Sequence, residues 1–203
     1  MTPELKQFLV DRATGKSSVA LDSISEELFQ MYMRDVNSST LRELITIFVA
    51  GYSHVPGKHG RDGIDPVTGK GKEIKPKLYT GKPTNGGGCF NDYTRARFDK
   101  DLLENLDIVH SFFIGDKLAY VLEFSIMAVQ TKLDKQIRIN CEEKGYQYVR
   151  SAYWSYSDWI NHESMKIHYI DWNLINLYPK CINETMYKSL RDLPRTPALI
   201  LND

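Results

Sequence analysis

The chain has 203 residues, 42% of them hydrophobic, with 26 basic side chains against 26 acidic ones and a formal net charge of zero. That length suits a single domain, 1–203, large enough to bury a core without disulfides or structural metals. A neutral balance supplies no general attraction for nucleic acid, so any such function has to come from how the charge is distributed. The sequence contains no apolar run of membrane-spanning length and no basic-then-apolar leader, which speaks against a membrane partner. Cys89, Cys141 and Cys181 are too far apart for a paired zinc knuckle and odd in number for a disulfide framework, so the expected compartment is the reducing cytoplasm.

Taken in order, residues 3–12 predict a short helix with Thr2 as its cap and Pro3 at the first helical position. Ser23-x-x-Glu26 is a capping-box pattern, and Ile24, Leu28, Met31 and Tyr32 follow at helical spacing. Residues 36–39 end that helix, and Ser39 or Thr40 caps the next, with Leu41, Leu44, Ile45 and Phe48 forming its apolar stripe. Two helices around a short polar turn can read DNA, but only Arg42 adds a positive charge to the second one, which favours packing. Glu43 lies opposite the apolar stripe and therefore toward solvent.

Residues 60–77 predict two short strands joined by the turn Pro66-Val67-Thr68-Gly69. With 66–69 as the loop, Asp65 faces Lys70 and Asp62 faces Glu73. Side chains alternate along a strand, so Asp62, Glu73 and Lys75 share one face and Asp65 falls on the other. Two carboxylates and an ammonium on one patch make a poor core and a good magnesium site, since Mg²⁺ takes one or two carboxylates and completes its shell with water and phosphate.

An aspartate, a turn and Glu-x-Lys on the next strand resemble the PD-(D/E)xK nuclease superfamily, which includes many restriction endonucleases. The similarity covers roughly residues 40–125. It implies that Asp62 and Glu73 hold Mg²⁺ and that Lys75 assists the attacking water. The residue before Asp62 is Arg61 rather than proline, and the one Asp-Pro pair is Asp65-Pro66, so Asp65 stays a second possibility for the aspartate. Face geometry favours Asp62. The resemblance also implies that the helix before the hairpin can supply one more acid, for which Glu43 is placed.

Between residues 58 and 100 there are ten basic and five acidic side chains, so this segment carries +5 and the remainder −5. A basic field around a metal site suits a phosphate polymer. Arg61, Lys77, Lys82, Asn85, Arg95 and Arg97 are the candidate nucleic-acid contacts. Residues 80–88, with Gly86, Gly87 and Gly88 in a row, read as a loop without capacity to pack, either a flexible connector or a cradle of amides for a phosphate. Asn91 is expected to cap a helix running to about Asn105. Residues 106–114 and 118–126 read as strands around Gly115-Asp116-Lys117, with His110 a core or edge histidine rather than a ligand.

Residues 130–143 read as an amphipathic helix, and 183–193 as the last one, followed by an extended segment over 194–201. From Tyr146 onward the chain is aromatic, including all three tryptophans, with Arg150, Lys166 and His168 close by. Such residues stack on bases or fill cores and dimer interfaces, and the second use is the commoner one.

The order helix, hairpin, helix, strand, strand fits an α/β or α+β core, a mixed sheet flanked by helices. That is also the restriction-endonuclease-like architecture the resemblance implies. It sets a nuclease core at about 40–126, with a helical segment before it and an aromatic-rich part after it. The function expected on this basis is a restriction-like, Mg²⁺-dependent endonuclease acting on duplex DNA as a homodimer. Two alternatives stand beside it. One is a histidine-based ββα-metal nuclease built from His54 or His59 with Asn85 or Asn91. The other is a non-catalytic nucleic-acid-binding or assembly protein.

Overall fold

A computed structural model describes residues 1–17, 19–56 and 61–193. It shows a mixed six-stranded sheet flanked by helices, with a separate two-stranded ribbon. Among the described residues no helix is long and apolar enough to cross a membrane. The chain opens with α1 (Pro3–Ala13), α2 (Ser23–Arg34) and α3 (Thr40–Val49). It continues through β1 (Ser53–His54), β2 (Gly63–Ile64), β3 (Gly71–Leu78), β4 (Gly88–Tyr93), α4 (Arg95–Leu103), β5 (Asp107–Ile114), β6 (Lys117–Ser125) and α5 (Gln130–Ile137). After a π-helical turn, Arg138–Glu143, come β7 (Val149–Trp154), α6 (Tyr156–Trp159), β8 (Lys166–Ile170), α7 (Trp172–Leu177) and α8 (Glu184–Asp192).

The main sheet runs β1-β2-β3-β5-β6-β8, with β3 parallel to β5 and every other pair antiparallel. Parallel strands need a crossover connection, and between β3 and β5 it contains β4 and α4. One sheet face is covered by the first three helices, through Leu9, Phe29, Ile45 and Ile47 against Ile74, Val109 and Val121. The other face carries the larger core, where Ile108, Phe112, Leu122 and Phe124 meet α4, α5, the ribbon β4–β7 and the last helices.

Several expected elements take a different form. Asn91 caps no helix: it lies within β4, paired with Ser151 of β7, and Thr94 caps α4 instead. The three glycines do pack. A Cβ at Gly88 would stand 2.5 Å from the Trp154 indole, and one at Gly86, which has φ +58°, would stand 2.8 Å from Trp159. They let the backbone pass under two tryptophans that are 2% and 0% exposed. These aromatics fill the core, with Trp159 stacked on Phe124 at 4.8 Å, whereas Tyr146, Tyr148, Tyr153 and Tyr178 remain at the surface.

Asp22, not Ser23, caps α2, its carboxylate accepting from the Ile24 and Ser25 amides. That helix buries Phe29 and Met33 and leaves the stripe Ile24, Leu28, Met31 and Tyr32 exposed. Arg42 is buried between α2 and α3, donating to the carbonyls of Met33 (2.6 Å), Asp35 (2.7 Å) and Ser38 (2.8 Å). Those are carbonyls the end of α2 and the following turn leave open, so the one basic residue of the second helix is used in packing rather than DNA reading. The 194–201 segment lies outside the described residues.

Behind β3 a charged group is buried. Lys72 is 1% exposed and its Nζ lies 2.7 Å from Asp107 Oδ2 and 3.2 Å from Glu123 Oε1. One ammonium thereby joins β3, β5 and β6. Glu123 also takes the Tyr52 hydroxyl, His168 Nε2 at 2.9 Å and Lys166 Nζ at 3.1 Å. Burial would raise the Glu123 carboxyl, but the hydrogen bonds from His168 and Tyr52 and the Lys72 charge outweigh it and hold the group well below the usual range. Lys166 and His168 therefore serve this buried carboxylate.

Removing one member of a buried ion pair strands its partners. Lys72→Met is expected to lower unfolding free energy by about 3 kcal/mol. Lys70→Met, at a more exposed ammonium on the same Asp107, is expected to cost under about 1 kcal/mol. Urea unfolding of the two variants checks this ranking, and equal losses would contradict it.

Candidate functional site

The turn after β2 determines which side chains can meet. Asp65 accepts from the Val67 and Thr68 amides at 2.9 and 3.3 Å, and Gly69 takes φ +72°. The Asp65 amide donates to the Lys70 carbonyl at 2.9 Å, Ile64 pairs with Gly71 and Gly63 with Lys72. The pairing ends there, and the Asp62 amide donates to the Lys72 carbonyl at 3.1 Å, so Asp62 stands at the end of the paired segment with Glu73 the next residue on β3. Asp65 is consumed by the turn, and those amide bonds hold its exposed carboxyl below the ordinary range. Structure thus separates the two aspartates: Asp65 is a turn residue, and Asp62 sits beside Glu73.

Pairing between β2 and β3 stops after two residue pairs, so the outer edge of β3 opens from Glu73 onward. Asp62 fills the fork. Its Oδ2 accepts from the Ile74 amide at 2.7 Å, in place of a strand carbonyl. Alternation along β3 sends Lys72 and Ile74 toward the first three helices, and Glu73 and Lys75 toward α4 and β4. Lys75 Nζ lies 2.6 Å from Glu73 Oε1. Glu73 is 7% exposed, more enclosed than a solvated hairpin carboxylate would be.

Arg97, in the first turns of α4, reaches Glu73 Oε2 at 3.5 Å and Asp101 at 3.6 Å. Asp101 in turn accepts from the Tyr93 hydroxyl at 2.7 Å. Phe90 of β4 lies beneath both cations, with Lys75 Nζ and Arg97 Cζ each 5.4 Å from the ring centroid. Sequence reasoning missed Phe90, Tyr93 and Asp101. The four-residue step from Arg97 to Asp101 was their one local signal.

Asp62 has its pKa raised to about 6, by burial first and then by the negative charge of Glu73, with Glu43 adding to it. The Ile74 amide and Lys75 oppose that rise without cancelling it. Glu43 is half-buried rather than solvent-facing, and its carboxylate takes the Ser39 hydroxyl at the start of α3. The helix stripe did not include it because α3 is buried on the side of Arg42, Ile45, Thr46 and Ile47.

The remaining candidates disperse. Arg95 is engaged by Asp134 at 2.8 Å and Glu142 at 2.5 Å, tying α4 to α5 and the π turn, so its charge is neutralised within the fold. Arg61 pairs with Glu104. Lys77 and Lys82 are exposed. Asn85 caps the glycine turn, accepting from the Gly87 amide at 3.0 Å. His54 is exposed on β1, at the far edge of the main sheet, while Asn91 lies in the ribbon, so the histidine alternative is not gathered into one hairpin. His59 lies outside the described residues. The +5 segment is thus partly spent: Lys72, Arg61 and Arg95 all pair with acids from beyond it.

Among the described residues no three His, Cys, Asp or Glu side chains form a metal-binding cluster. Magnesium asks for fewer, one or two carboxylates with water and phosphate oxygens completing the shell. Burial comes first in the rise at Asp62 and the charge of Glu73 second, and the second is what a cation shared by the two carboxylates would relieve, so the chemistry of these oxygen donors suits magnesium.

The raised Asp62 pKa carries a signed consequence. The folded chain holds this proton more tightly than an unfolded one, whose carboxyl titrates near 3.8. Its contribution to stability is therefore complete below that value and lost as pH rises through about 6. Asp62→Asn keeps an acceptor for the Ile74 amide and removes the charge. Its Tm is expected to exceed that of the wild-type chain at pH above about 7, with the gain fading below about 5. A lower Tm at neutral pH would contradict the assignment.

No protein-family model matches the chain, and no curated protein matches it.

Proposed function

We propose that the chain is a Mg²⁺-dependent endonuclease of the PD-(D/E)xK type, restriction-endonuclease-like in its core and acting on duplex DNA. The observation that carries this reading is the fork itself: Asp62 beside Glu73, with Lys75 Nζ 2.6 Å from the glutamate. A helix, an antiparallel hairpin, a second helix and a strand parallel to the hairpin's second arm surround it, α3, β2–β3, α4 and β5.

When bound, Mg²⁺ supplies Lewis-acid polarisation of the phosphodiester and eases ionisation of water. The rest falls to the chain's own groups. Asp62 and Glu73 provide the oxygen donors. Asp62 is held by the Ile74 amide and Glu73 by Lys75 and Arg97, so neither needs to search for its position. Among the described residues Lys75 is the one ammonium in direct contact with Glu73, and from there it can steady the charge that develops on a phosphate under attack. Arg97, 40% exposed and stacked against Phe90, is placed to take a non-bridging phosphate oxygen. Lys77 and Lys82, free of the fold's internal ion pairs among the described residues, extend a track for the backbone.

The test is cleavage of plasmid DNA with and without Mg²⁺. Because Glu73 is enclosed and ion-paired, Glu73→Gln is a better probe than alanine: it keeps the shape and removes the charge. Glu73→Gln and Lys75→Ala are each expected to lower the rate by about 10²-fold or more, with Lys75→Ala still binding metal. Asp65→Asn, in the turn, is expected to stay within about threefold of the wild-type rate, since its acceptor oxygen survives. Chelator-resistant activity, or Asp65→Asn losing more than Glu73→Gln, would overturn the proposal.

A further inference from the structure

Helix α2 has two apolar faces. Phe29 and Met33 point inward, while Glu26 and Gln30 on the same side reach Arg12 and Asp116. On the opposite side Ile24, Leu28, Met31 and Tyr32, followed by Val36, are 51–70% exposed. Their spacing of four, three and one makes a single stripe along the helix. A helix needs one such face to dock on its own domain, so the second has no use within the described fold.

We propose that this stripe is an interface between two copies of the chain, which pair through α2 in antiparallel, two-fold symmetric fashion. The helix is complementary to itself. Glu27 and Arg34 are both exposed, have no ion-pair partner among the described residues, and lie seven residues apart on one flank of the stripe. A two-fold axis midway between them brings Glu27 of each copy against Arg34 of the other. The same axis sets Leu28 beside Met31 and Tyr32 of the second copy, and Ile24 beside its Val36. Antiparallel helices also set the exposed Asp22 and Glu27 at each amino end toward the end of the other helix that carries Arg34.

Five side chains this exposed present on the order of 500 Å² of apolar surface on each copy. A two-fold contact thus removes about 1,000 Å² in all, the lower bound for a specific interface. Arg42 links the contact to the candidate site, because it ties the end of α2 to α3, whose Glu43 charge bears on Asp62. Dimerisation itself does not depend on the nuclease reading.

Sedimentation of the full chain without DNA or metal tests the proposal, with circular dichroism to verify folding. The wild-type chain is expected to be a dimer at micromolar concentration. Leu28→Glu is expected to weaken association by about 100-fold or more, and Glu27→Arg by about 3–10-fold. The double variant Glu27→Arg/Arg34→Glu restores both cross-pairs and is expected to recover the wild-type affinity. A wild-type monomer, as when residues 194–203 of the same chain cover the stripe, overturns the proposal. So does a dimer indifferent to Leu28→Glu, or a charge swap that fails to rescue.

Discussion

The ammonium of Lys72 is the constraint on which the sheet depends. It sits at the joint of β3, β5 and β6, paired with Asp107 and Glu123 where hydrocarbon would be expected. Desolvating three charges is expensive, and the geometry returns that cost only if the strands keep their register. A slip of one residue would turn Lys72 to the opposite face and bring Glu73 under the helices. The same register that satisfies Lys72 inside presents Glu73 and Lys75 on the other face, beside Asp62. Strand alternation thus couples a buried structural ion network to the candidate site without any direct contact between them.

The first three helices are tied to that strand from the other side. Arg42 takes three carbonyls around the end of α2, Thr46 lies 2.6 Å from Ser111 of β5, and Tyr52 hydrogen-bonds to Glu123. These polar contacts, set within an apolar layer, fix the height of α3 on the sheet and hence of Glu43 near Asp62. On the far side Arg97 does the complementary work, drawing α4 to Glu73 through a pair that Tyr93 and Asp101 hold in place. The fork is therefore braced from both sheet faces.

The hairpin was the most legible part of the chain. Pro66 and Gly69 constrain a four-residue turn, and turn length is enough to set Ile64 against Gly71 and Gly63 against Lys72, which brings Asp62 to the start of the open edge of β3. The mixed sheet and its flanking helices also follow from local patterns. The ribbon does not, because β4 pairs with β7 some sixty residues on and neither strand has a strong periodic signal. Gly86 and Gly88 read as looseness because the indoles that require them come from that distant segment. Arg95 and Arg61 read as phosphate contacts for the same reason: the acids that occupy them arrive from elsewhere in the fold. The enclosure of Glu73 and Glu43 was equally invisible, since burial of a polar residue depends on what packs over it. Helix α2 shows the reverse case, a stripe whose spacing was plain but whose direction, outward rather than inward, only the packing of Phe29 and Met33 could reveal.

The central claim is that Asp62 and Glu73 together form a divalent-cation site. Calorimetric titration of Mg²⁺ into the protein at a series of pH values tests it most directly, because it needs neither substrate nor turnover. Binding is expected near neutral pH, weakening as pH falls through about 6 with proton uptake at Asp62, and lost in Asp62→Asn. Binding of equal strength in Asp62→Asn, or none to the wild-type chain at any pH, would contradict the account.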